Sequence, residues 1–139
     1  MRHPRIVSVA GLMAVTVFVV AACSKSTTEP SGNSALVGSY SLYSITLAGL
    51  PTLGPPAATG SMSMTDTTYV VDITVNSPPA PSQMVIHDEG TYTVSGNSIT
   101  QTSTIQSIQS VGTYTLSNDT LTVDVTAAGQ ETKMVWLKQ

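Results

Sequence analysis

From residue 35 onward, apolar and polar residues alternate with a period of two, the signature of half-buried strands. The pattern is clearest in two echoing stretches, "GTYTVSGNSIT" at 90–100 and "GTYTLSNDTLT" at 112–122. Each carries an aromatic and an aliphatic on one face (Tyr92 and Val94; Tyr114 and Leu116), threonines on the other, and then two residues suited to a tight turn. Gly96-Asn97 and Asn118-Asp119 suit the positive φ that short hairpin loops require. Taken as loops, they set Val94 opposite Ile99, Leu116 opposite Leu121 and Tyr114 opposite Val123. Apolar then meets apolar on one face of both hairpins, whereas a slip of one residue would set valine against threonine.

The same test extends along the chain. A turn at Asp66-Thr67 sets Met64 against Tyr69 and Met62 against Val71, with Ile73 and Val75 on the same side. A turn at Ala128-Gly129 sets Val123 against Met134 and Leu121 against Trp136. The sequence thus predicts eight strands, at 36–46, 58–65, 68–76, 82–95 with a bend at Gly90, 98–105, 111–117, 120–127 and 130–138. No segment sustains an apolar stripe of helical period, so no helix is expected beyond a turn near the start. The longer breaks, 47–58 and 76–82, carry prolines that cannot sit in a central strand. Sequential strands with short turns make an antiparallel up-and-down meander, and closing it removes two aggregation-prone edges. The expected fold class is therefore all-β, a small eight-stranded barrel whose interior takes side chains or one small ligand.

The first 22 residues follow a different pattern. Arg2 and Arg5 precede an apolar run from Ile6 to Ala22, 17 residues broken only by Ser8 and Thr16. A basic start, a short apolar run and a small-residue end read as a secretory signal peptide. Val20-Ala21-Ala22-Cys23 resembles the lipobox of bacterial lipoproteins. That resemblance implies that Cys23 is lipidated and becomes the first residue of the mature chain. The alternatives are an ordinary signal peptide cut after Ala22, leaving a free thiol, and a retained single-pass anchor. Cys23 is the single cysteine, so no disulfide forms within the chain. The stretch "SKSTTEPSGNS" at 24–34 has no apolar residue and reads as a tether with a reach of roughly 20 Å. The resulting division is a signal peptide at 1–22, lipidated cysteine and tether at 23–34, and one folded domain at 35–139.

Charge narrows the partners. The mature 117 residues keep three basic side chains (Lys25, Lys133, Lys138) against eight acidic ones. Such a chain lacks the clustered lysine and arginine that nucleic acid requires, and anionic lipid surfaces are disfavoured for the same reason. Membrane attachment then falls to the acyl chains on Cys23. Ser24 follows the cysteine where an aspartate favours inner-membrane retention in well-studied bacterial lipoproteins, so the resemblance implies the outer membrane.

Leu36-Val37-Gly38-Ser39-Tyr40 resembles the opening of bacterial lipocalin-like domains, in which a leucine, a glycine and an aromatic lead into the first strand. That family usually has tryptophan where this chain has Tyr40; the "GTYT" strands and Trp136 near the end of the closing strand also match. The resemblance spans residues 35–138 and implies a calyx. A barrel spanning the outer membrane is the competing architecture. It would put its apolar face outward on strands of about 9 to 11 residues with aromatic girdles. Here most strands are shorter, and five of the six mature aromatics (Tyr40, Tyr43, Tyr69, Tyr92, Tyr114, Trp136) share a face with core aliphatics.

Reactive chemistry is sparse. His87 is the one histidine of the mature chain, and Asp88 and Glu89 follow it. Adjacent strand residues point to opposite faces, so Asp88 cannot orient His87, and no "GxSxG" elbow occurs. Met62, Met64, Met84 and Met134 fall on the inner face, where thioethers can bind Cu(I). They are interspersed with Tyr, Val and Ile as ordinary core filler is. Asp72 and Asp124 fall on the outward face. No enzymatic activity, metal or cofactor is expected. Two readings of different class remain. In one, a monomeric carrier holds a small apolar ligand among Tyr69, Met84, Tyr92, Gln101 and Trp136 at an end bounded by the proline-rich loops. In the other, a filled barrel serves as a structural or inhibitor-like interaction module of the envelope. Gln101 and Ser103, polar but inward, favour a cavity.

Overall fold

The computed structural model describes residues 32–76 and 83–139. The signal peptide, Cys23 and most of the tether lie outside these residues, as does most of the 76–82 loop. Eight strands form a closed antiparallel barrel: β1 (Gly38–Leu47), β2 (Ala58–Met64), β3 (Thr68–Asn76), β4 (Gln83–Ser95), β5 (Ser98–Ser103), β6 (Gln109–Ser117), β7 (Thr120–Ala127) and β8 (Gln130–Lys138). Each strand pairs with its sequence neighbour, and β8 closes on β1 from Tyr40–Lys138 to Leu47–Thr132. The all-β, up-and-down barrel that the alternation predicts is the fold observed.

Every register derived from a turn is present. Val94 faces Ile99, Leu116 faces Leu121 and Tyr114 faces Val123. Met64 faces Tyr69, Met62 faces Val71, Val123 faces Met134 and Leu121 faces Trp136. The first residue of three of these turns has positive φ: Gly96 at 57°, Asn118 at 52° and Ala128 at 48°. Three boundaries differ from expectation by two residues, one of them the start of β6 at Gln109 rather than 111. Gly32–Leu36 form a 3₁₀ turn within the end of the polar stretch read as tether, and β1 begins at Gly38. β5 stops at Ser103 because that residue turns the chain: its amide donates to the Ile108 carbonyl, and its hydroxyl accepts from the Gln106 amide.

The 3₁₀ turn covers one end of the barrel. Leu36 is fully buried there with Tyr40, Tyr92, Ile99, Leu121 and Trp136. Burying an aromatic removes a large apolar area from water, and their polar tips need partners. Tyr40 Oη donates to the Leu36 carbonyl at 2.8 Å, and Tyr92 Oη to the Thr65 carbonyl at 2.6 Å. The side chain of Asn33 donates to the Asp66 carbonyl at 2.7 Å and accepts from the Val94 amide at 3.1 Å. Trp136 Nε1 is the exception, buried with no hydrogen-bond partner among the described residues.

The opposite end is formed by the C-terminal ends of β1, β3, β5 and β7 and the starts of their partners. The long loop after β1 folds back onto it. Leu53 pairs with Ile45 through two backbone hydrogen bonds of 2.8 Å, extending the sheet edge where β2 has not yet begun.

Candidate ligand-binding site

Toward this second end the inner face changes from aromatics to smaller and more polar side chains. Ile45 and Leu47 of β1, Val71 and Ile73 of β3, Ile86 of β4, Val125 and Ala127 of β7 and Met134 of β8 supply an apolar wall. Tyr69, Asp88, Gln101, Ser110 and Thr132 interrupt it. Together they line a cavity of about 160 Å³. An apolar cavity of about 150 Å³ is enough for a single aromatic ring. One half of the barrel is therefore packed, and the other holds space of ligand size.

A hydrogen-bonded cluster organises the polar side. Asp88 follows the alternation of β4 inward, two residues before Gly90 and four before Tyr92. Tyr69 Oη donates to Asp88 Oδ2 at 2.8 Å, and Ser103 Oγ donates to Asp88 Oδ1. Burial first, and then the hydrogen bond to Asp88 and its negative charge, push the Tyr69 phenol well above its ordinary pKa. The phenol therefore remains a donor, and Asp88 is held as an acceptor inside the cavity. Neither lysine of the described residues, Lys133 or Lys138, lines this cavity. Gln101 is only 7% exposed, and its side chain makes no hydrogen bond among the described residues.

His87 points the other way. Its Nδ1 lies 2.6 Å from Asp72 Oδ1 on the outer face, with both side chains about half exposed. The hydrogen bond and the charge of Asp72 raise the imidazole pKa. The β3–β4 register sets Asp72 directly opposite His87. No serine or threonine hydroxyl is hydrogen-bonded to this imidazole among the described residues.

Of the residues read from the sequence as ligand contacts, Tyr69 and Gln101 line the cavity. Tyr92 and Trp136 pack in the closed half, outside the lining, because their bulk fills the space beneath the 3₁₀ turn. Met84 stands near the start of β4 and is 43% exposed. Met62 and Met64 are core residues and Met134 is partly buried against them. Among the described residues, no group of three His, Cys, Asp or Glu side chains is placed to hold a metal. The sequence reading passed over Asp88 as a site residue, although its parity with Tyr92 places it on the inner face.

No family model matches the chain, and no curated protein matches it. Two solved structures are similar to it. One is a de novo designed fluorescence-activating β-barrel, 15% identical, with 74% of this chain and 93% of the design covered at a TM-score of 0.47. The other is an uncharacterized protein from Bacteroides eggerthii, 11% identical, with 75% of this chain and 99% of that protein covered at a TM-score of 0.48.

Proposed function

We propose that this protein is a non-enzymatic lipoprotein of the bacterial envelope, anchored through acyl chains on Cys23, whose lipocalin-like barrel carries a small, largely apolar ligand. The observation that supports the carrier reading is the cavity of about 160 Å³ in the open half, walled by aliphatic side chains with a few convergent polar groups. The leader with its Val20-Ala21-Ala22-Cys23 motif supports the anchor, and Ser24 supports the outer membrane. A second reading, an interaction module that docks a protein at the same end, is favoured by Leu50, Met84, Val85 and Ile105. These side chains are exposed in the loops and strand ends there.

Native mass spectrometry of the full-length protein, extracted from membranes without denaturation, separates the two. The carrier reading predicts a co-purified small molecule that is released on unfolding and is lost in Ile73→Trp, where the added ring occupies the cavity. A bare protein mass, unchanged after exposure to small apolar compounds, would support the interaction module instead.

A further inference from the structure

Resting on the carrier reading, we infer that the ligand is a small organic cation: an ammonium group, seated against Asp88, on an apolar body of about one ring. Three observations converge. First, Asp88 brings a carboxylate into a mainly aliphatic cavity, and no lysine or arginine of the described residues faces it. Second, its two neighbours are neutral donors, Tyr69 Oη on one oxygen and Ser103 Oγ on the other. They orient the carboxylate without neutralising it, and each oxygen keeps a further lone pair for a ligand. Third, Gln101 lines the same cavity, and its side-chain amide has no hydrogen-bond partner among the described residues. Its oxygen can accept from a ligand that carries several N–H donors.

The register brings these groups onto adjacent strands. Tyr69 lies opposite Gly90, Ser103 opposite Gly90 from the other side, and Gln101 opposite Tyr92. Asp88 is therefore next inward on β4, between Tyr69 and Ser103. An ammonium presents three donors from one point and matches acceptors arranged in this way. A carboxylate ligand, such as a fatty acid, would instead bring like charge against Asp88 in a partly desolvated site. The aliphatic wall of Ile73, Ile86, Val125 and Met134 would hold the ligand's body.

The test is calorimetric titration of the full-length protein in lipid nanodiscs with three probes of one skeleton: benzylamine, benzyl alcohol and benzoate. The expected order is amine first, at least about tenfold tighter than the alcohol, with benzoate weakest, because a charge-assisted hydrogen bond is exchanged for a neutral one. Asp88→Asn should abolish the amine's advantage while leaving alcohol binding in place, which also shows that the variant is folded. Alcohol or benzoate binding as tightly as the amine in the wild type would overturn the inference and leave the carrier reading standing. The same holds for an amine preference unchanged in Asp88→Asn. Failure of all three probes to bind would overturn both.

Discussion

The phenol of Tyr92 ties together parts of the chain that are far apart in sequence. Its oxygen donates to the Thr65 carbonyl in the β2–β3 turn and lies 3.1 Å from the carbonyl of Asn33 in the 3₁₀ turn. Tyr92→Phe keeps the ring and removes the donor, leaving part-buried carbonyls unpaired. It should cost about 1–2 kcal/mol in denaturant unfolding. The same phenol makes stability depend on alkaline pH. Burial, followed by the negative charge of Asp66, pushes its pKa up to about 12 from an ordinary 10.0. The folded state thus holds the proton where the unfolded chain would release it. This stabilisation is fully present below about pH 10 and is lost as pH rises toward about 12. Unfolding measured across that window should show falling stability in the wild type and a shallower fall in Tyr92→Phe. The aromatic positions were legible because they alternate with threonine. Asn33 was not, since it sits in a stretch without apolar residues and acts through its side-chain amide and its backbone carbonyl.

At the scale of strands, two inner glycines let the barrel close tightly. A Cβ at Gly90 would overlap the Thr102 carbonyl oxygen, and one at Gly112 would overlap that of Asp124. Gly112→Ala would have to move backbone rather than a side chain, and should destabilise by about 1–3 kcal/mol, read as a lowered melting temperature. Ala128 is the reverse case: it opens the β7–β8 turn at φ 48°, a region that an alanine occupies with strain. Ala128→Gly should raise stability by about 0.5 kcal/mol, the relief of strain being partly offset by a freer unfolded chain. Hairpin registers were readable because a two-residue turn and the apolar pattern each specify them. The β3–β4 pairing was not, because the break at 76–82 is no tight turn. The Asp72–His87 contact therefore emerges only from the structure.

For the molecule as a whole, the inner face is graded from one end to the other. Leu36, Tyr40, Tyr92 and Trp136 fill the closed half, while Ile, Val, Ala, Ser and Thr leave space in the open half. Alternation reports which residues face inward but not how high each sits along the barrel. Tyr92 and Trp136 share the inward parity of Tyr69 and Gln101, yet only the latter two line the cavity. The proposed anchor yields its own prediction. Cys23→Ala should abolish palmitate labelling and move the protein from the membrane fraction to the soluble one, since attachment rests on the acyl chains alone. The most direct test of the half-filled barrel is methyl NMR of the full-length protein during titration with a neutral probe the size of toluene. The account predicts shifts at Ile73, Ile86, Val125 and Met134 around the cavity and none at Ile99 or Leu121 in the packed half. Shifts confined to the packed half, or no shift at saturating probe, would contradict it.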